Sequence, residues 1–173
     1  VKTDALSRMP DSSPRLLVVD DDPGMLALVG RFADGEGFDV IPRPGGHALL
    51  NELAALKPDV VLLDRNMPEV GGLDILRVIR DADPECQVIL MTADATVDSA
   101  IEAVKLGALD YLTKPLDFVR LGELFSTVRF GLARRQRLLA ADTDLASRFE
   151  FCGMVGRSPV MQELFDFIRR LAP

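Results

Sequence analysis

Between residues 16 and 116 the chain alternates short, nearly unbroken apolar runs with stretches in which apolar residues recur every three or four positions. The runs are LLVVD (16–20), FDVI (38–41), DVVLLD (59–64), QVILMT (87–92) and ALDYL (108–112). Three of them are almost continuously apolar, the pattern of strands covered on both faces in a parallel sheet. Between them, Leu49, Leu50, Leu53 and Leu56 mark one helix face. Leu73, Leu76, Val78 and Ile79 mark a second, and Ala100, Ile101, Val104 and Leu106 a third. Strands and helices alternating at this pace imply right-handed crossovers. The pattern therefore predicts an α/β fold, a doubly wound five-stranded parallel sheet with five helices. No internal repeat or low-complexity tract interrupts it.

The polar residues of the strands gather at one end. The first run closes in Asp20-Asp21-Asp22, the third in Asp64 and the fourth in Thr92, and Lys114-Pro115 follows the fifth. In open sheets of this kind, sites form outside the carboxyl ends of the strands, at a topological switch point. Taken alone, the three acids read either as a polar loop capping the next helix or as a cation site. Asp22, just before Pro23, suits a helix cap better than a ligand. The convergence of Asp64, Thr92 and Lys114 on the same edge favours the cation reading for the others.

Clustered carboxylates need a positive partner, or one of them takes up a proton. Oxygen donors without His or thiolate suit a hard cation such as Mg²⁺, which keeps waters and accepts phosphate oxygens. Lys114 adds a point charge and Thr92 a hydroxyl. A carboxylate so placed can attack a phosphoryl group while metal and Lys neutralise its equatorial oxygens. Asp64 is the candidate nucleophile.

Four blocks, LLVVDDD, VVLLDRNMP, MTA and YLTKP, resemble in order and spacing the signatures of response-regulator receiver domains of two-component signalling. The resemblance covers about residues 15–125 and implies a flavodoxin-like receiver that takes a phosphoryl group from a sensor histidine kinase. It implies Asp64 as phosphoacceptor and Asp20 and Asp21 as the acid pocket. Asp21, Asp64 and the backbone carbonyl of Asn66 would ligate Mg²⁺ directly, with Asp20 acting through a water. Thr92 and Tyr111 would be the switch pair, Tyr111 turning inward on phosphorylation. Lys114, followed by a cis Pro115, would hold the phosphoryl group. Asp94 is a candidate for orienting a water that shortens the lifetime of the acyl phosphate. One departure is Gly71-Gly72, where the family usually has Asp-Gly; it removes a capping carboxylate and loosens the loop after Asp64. VIPRPGG, before the second helix, is also rich in Pro and Gly, and His47 behind it reads as a surface residue. Two other readings share the acids. A Mg²⁺-dependent aspartyl phosphohydrolase needs an acid two residues after the nucleophile, where this chain has Asn66. A receiver-like dimerisation module would never be phosphorylated.

Composition narrows the field. The 173 residues are 48% hydrophobic and carry a net charge of −7, which argues for a packed core and against a nucleic-acid surface over the whole molecule. The basic run ARRQR (133–137) reads as a solvated helix face. No apolar run reaches the roughly 20 residues of a membrane helix. Residues 1–14 read as a flexible polar arm without a signal region. Cys86, Cys152 and a single His make no zinc site of ordinary type, and fit a reducing cytoplasm.

Beyond residue 116, Leu121, Phe125, Val128, Leu132 and Leu139 fall at spacings of four, three, four and seven, a short heptad seam interrupted by Arg135. Part of it must cover the sheet. The remainder predicts an extended linker helix over 126–150 that pairs two chains, with AADTDLASRFEF as a hinge. Ser158 and Pro159 open a further helix with Met161, Leu164, Phe165, Ile168 and Leu171 on one face. Residues 151–173 resemble the opening of the AAA+ ATPase module in NtrC-type activators of sigma-54 polymerase. No G-x-x-x-x-G-K-[ST] phosphate loop is present, so the expectation is a regulatory, non-enzymatic portion. Sigma-54 RNA polymerase and DNA would be met through domains outside this sequence.

Overall fold

The protein is described from a computed structural model that covers residues 13–151 and 154–155, apart from 69 and 95. Most of the expected arm and the expected helix after Ser158 lie outside the described residues. In chain order the elements are β1 (Arg15–Val19), α1 (Pro23–Gly35), β2 (Asp39–Arg43), α2 (His47–Leu56), β3 (Val60–Asp64), α3 (Gly72–Ala82), β4 (Gln87–Thr92), α4 (Val97–Lys105), β5 (Asp110–Thr113) and α5 (Phe118–Phe149). The five strands are all parallel, in the order β2-β1-β3-β4-β5. The predicted doubly wound sheet is thus observed, with its switch point between β1 and β3.

Strand alternation divides the core in two. Leu17, Val19, Val61, Leu63, Val88 and Leu90 point to the layer of α2, α3 and α4, against Leu49, Ile75, Leu76, Ile79 and Ala103. Leu16, Val18, Val60, Leu62, Ile89 and Met91 point the other way, against Val29 and Ala33 of α1 and Leu121, Phe125 and Val128 of α5. Between their polar ends β1, β3 and β4 are apolar at every position because both faces are covered. β2 lies at the edge and tolerates Pro42.

Helix starts follow local chemistry. Asp22 Oδ1 accepts a hydrogen bond from the Gly24 amide at 2.8 Å, with Pro23 in the first turn, so Asp22 is the expected cap. At α3 the cap position is Gly71, with no side-chain bond. Gly72 beside it has no alternative: a Cβ there would stand 2.4 Å from the Asp64 carbonyl oxygen and 2.7 Å from the Arg65 Cα.

The heptad seam needs correcting. Leu121, Phe125 and Val128 are buried in the core shared with α1, and Leu132 packs partly buried against it. These spacings therefore record α5 packing on its own sheet, and Leu121, Phe125 and Val128 are unavailable to a second chain. The chain divides into two compact units, the first closing at Leu132 and the second beginning at Ala133. α5 also runs through the expected hinge to Phe149, a stretch with neither Gly nor Pro to end it. In the second unit, Glu150–Phe151 (β6) pairs antiparallel with Met154–Val155 (β7). Among the described residues no helix is long and apolar enough to cross a membrane.

Candidate functional site

Parallel register delivers the strand ends to one edge. Asp64 closes β3 opposite Met91, and Thr92 closes β4 opposite Thr113. Asp20 and Asp21 follow β1, and Lys114 follows β5. Asp20 and Asp64 are buried, Asp21 is exposed, and one carboxylate oxygen from each lies within 4.8 Å of the others. The Lys114 Nζ donates to Asp20 Oδ2 at 2.7 Å and stands 3.3 Å from Asp64 Oδ2. Asp20 Oδ1 accepts from the Asp22 amide at 3.0 Å, and Asp64 Oδ1 from the Asn66 amide at 3.3 Å. The Lys114 amide donates to the Thr92 carbonyl at 2.7 Å, and the Lys114–Pro115 peptide is cis, as the resemblance implied.

Three carboxylates face one ammonium, so the pocket is short of positive charge. Burial pushes the Asp20 carboxyl above its ordinary range, opposed by the Lys114 ammonium and the Asp22 amide and reinforced by Asp64. Burial alone would lower the Lys114 ammonium, but Asp20 and Asp64 outweigh it and hold its pKa above the usual value. Lys114 is therefore charged at neutral pH. An all-oxygen pocket with a surplus of negative charge and one exposed carboxylate fits a hard, partly hydrated dication. Asp21, Asp64 and Asp20 are the side chains that could hold it. Asn66 is exposed beside Asp64.

Thr92 and Tyr111 sit on the neighbouring strands β4 and β5. The buried Thr92 hydroxyl is engaged with the backbone of Asp94, donating to its carbonyl at 3.3 Å and accepting from its amide at 3.2 Å. Tyr111 is turned inward, 9% exposed. Its hydroxyl oxygen lies 2.8 Å from the Ser99 Oγ and accepts from the Arg65 guanidinium at 3.4 Å. The Asp94 backbone is tied to Thr92, and the side chain of His47, at the start of α2, lies outside the described residues.

Arg65 and Ser99 were not singled out by sequence reasoning. Ser99 had a usable signal, since it stands three residues after Thr96 in a capping box at the start of α4. Arg65 had none beyond its place next to Asp64.

Comparison with known proteins agrees with this geometry. The response regulator receiver domain model matches residues 16–126. The transcriptional regulatory protein ZraR of Salmonella typhimurium is 40% identical over 158 residues, covering 91% of this chain and 35% of its own length. The DNA-binding transcriptional regulator NtrC of the same organism is 34% identical over 155 residues, covering 90% of this chain and 32% of its own. The chain thus spans about a third of the length of these relatives. A receiver domain of a putative Luxo repressor protein from Vibrio parahaemolyticus superposes with a TM-score of 0.65 at 28% identity, covering 75% of this chain and 96% of that one. The BeF3-activated DrrB receiver domain gives 0.62 at 32% identity, covering 67% and 97%. With the fold, the strand-end acids and the matched residues in agreement, the chain belongs to the response regulator receiver domain family.

Proposed function

We propose that the chain is the phosphoacceptor portion of a two-component transcriptional regulator of NtrC type, taking a phosphoryl group from a sensor histidine kinase onto Asp64. The observation that carries this reading is the Asp64 carboxylate, 4% exposed, set between the Asp20–Asp21 acids and the Lys114 ammonium at 3.3 Å. One Asp64 oxygen attacks phosphorus, and the bond to the donor breaks with its electron pair leaving on the donor atom. Lys114 balances charge on the transferred oxygens, and Asp20 keeps the ammonium aimed at the pocket. Mg²⁺, when bound by Asp21, Asp64 and the Asn66 carbonyl with Asp20 through a water, supplies the positive charge that the pocket lacks. The acyl phosphate adds about −1.5 to −2 charge. That charge competes with the Asp94 backbone for the Thr92 hydroxyl and draws the loop toward α4 with it. Asp94 sets the lifetime of the acyl phosphate, and Asp94→Ala slows its decay.

The output runs through α5. Leu139, the member of the seam left outside the core, and the partly buried Leu132 support a homodimer through the linker helix; Leu139 is 47% exposed. The segment beyond residue 150 would join an AAA+ ATPase that meets sigma-54 RNA polymerase and DNA, in a cytoplasmic protein. The test is intact-mass analysis after incubation with acetyl phosphate and Mg²⁺. One phosphoryl group is expected, lost with chelator and in Asp64→Asn. Label persisting in Asp64→Asn would sink the assignment. Steady release of phosphate from a phosphomonoester would favour the phosphohydrolase reading, against which the amide at Asn66 stands. No uptake by the wild type would favour the dimerisation module.

A further inference from the structure

Ser99 and Tyr111 form a hydrogen-bond chain whose direction can be worked out from donor and acceptor counts. A serine hydroxyl donates once and accepts twice, and a tyrosine hydroxyl donates once. The Ser99 Oγ lies 3.1 Å from the Thr96 amide, which can only donate, and 2.8 Å from the Thr96 carbonyl, which can only accept. Its single proton goes to that carbonyl, and one of its two acceptor places goes to the amide. The place that remains lies 2.8 Å from the Tyr111 hydroxyl and 3.0 Å from the Thr96 hydroxyl, and the Tyr111 contact is the shorter of the two. On the other side of Tyr111, the Arg65 guanidinium can only donate, so the phenolic oxygen accepts there and the phenolic proton is left to point at Ser99. Every link then runs one way: from Arg65, beside the phosphoacceptor, through Tyr111 and Ser99 to the backbone of the α4 cap.

We propose that Ser99 is a positioning residue that holds Tyr111 inward before any phosphoryl group arrives and binds it to the first turn of α4. This goes beyond the receiver reading and rests on it only for the meaning of the switch. Ser99 and Tyr111 are both buried, so an unmade bond between them would leave the phenolic proton with neither an acceptor nor water. With Ser99 in place, Tyr111 and the α4 cap move as one body. The barrier to switching then lies at Thr92 and Asp94, not in rotation of the aromatic ring. Without the Ser99 hydroxyl, Tyr111 loses its acceptor and turns out to water in the free protein.

The sequence offers a clean reporter, because Tyr111 is the only tyrosine and there is no tryptophan. Acrylamide quenching of tyrosine fluorescence therefore reads this one ring. It would be measured on the 173-residue chain and on Ser99→Ala, Ser99→Cys and Ser99→Thr, with and without Mg²⁺ and beryllium fluoride. Wild type should be poorly quenched in both states. Ser99→Ala and Ser99→Cys should be quenched severalfold more strongly when free, while Ser99→Thr, which keeps the hydroxyl, stays at the wild-type level. Far-ultraviolet circular dichroism checks that each variant is folded, and the near-isosteric Cys serves if Ala is not. A free wild type that is readily quenched and becomes protected by beryllium fluoride would overturn the proposal. So would Ala and Cys variants indistinguishable from wild type. If the free variants are exposed and beryllium fluoride fails to draw Tyr111 back, Ser99 keeps its role and the phosphoacceptor reading falls instead.

Discussion

α3 and α4 sit on the same side of the sheet and follow consecutive strand ends, yet they are held by different forces. α3 buries Gly72, Ile75, Leu76 and Ile79 and has no side-chain cap. α4 buries only Ser99 and Ala103, leaves Val97 77% and Val104 61% exposed, and carries a reciprocal capping box between Thr96 and Ser99. Packing energy is steep and unforgiving of displacement, whereas capping bonds are worth about 1 kcal/mol each and can be exchanged. The helix after Asp64 is therefore a fixed wall of the pocket. The helix after Thr92 is held by hydrogen bonds that a new charge can redistribute. That contrast gives the wall of the pocket and the neighbouring helix different freedom to move.

The largest expected effect comes from closing the gap at Gly72. Gly72→Ala drives a Cβ into the backbone of Asp64 and Arg65, and should cost more than about 4 kcal/mol in urea unfolding, with phosphoryl uptake lost as well. Next comes the α3 core: Ile75→Ala should cost about 2–5 kcal/mol. A pH scan adds a third handle on the α3 side, where burial pushes the Cys86 thiol up to about 12 from an ordinary value of 9.0. The thiol is neutral in both states below that ordinary value, where its contribution is fully present. Between about 9 and 12 the unfolded chain loses this proton and the folded one keeps it, so stability should fall with rising pH. Cys86→Ala should flatten that slope, and an unchanged slope would show that the thiol is wetter than its burial implies.

The α4 side should respond more weakly. Thr96→Ala removes one half of the capping box and should cost about 1 kcal/mol, seen mainly as faster amide exchange in residues 97–100. Ile101→Ala, on the outward face, should change global stability by no more than about 0.5 kcal/mol. An Ile101→Ala penalty matching that of Ile75→Ala would erase the contrast between the helices.

Much of this was readable in order along the chain. Continuous apolar runs such as VVLL (60–63) identify strands covered on both faces, and their polar terminators identify the edge where Asp20, Asp21, Asp64, Thr92 and Lys114 meet. Asp22 before Pro23 carried its cap in its chemistry. The α5 seam is divided for a physical reason: a 3–4 spacing records that a helix face is apolar, not which surface covers it. Leu121, Phe125 and Val128 are satisfied by the sheet and α1, so the same periodicity that suggests a partner is used up internally.

The sequence by itself determined the alternation of strands and helices, the Asp22 cap and the set of residues at the strand ends, because each follows from local periodicity or from neighbours a few positions away. The tertiary structure alone decided which way Tyr111 faces. Ser99, Arg65 and Tyr111 are brought together by the pairing of β3, β4 and β5 across up to 46 positions of sequence. A buried hydroxyl takes whichever partner that pairing presents, since leaving it without one costs more than any rotamer preference.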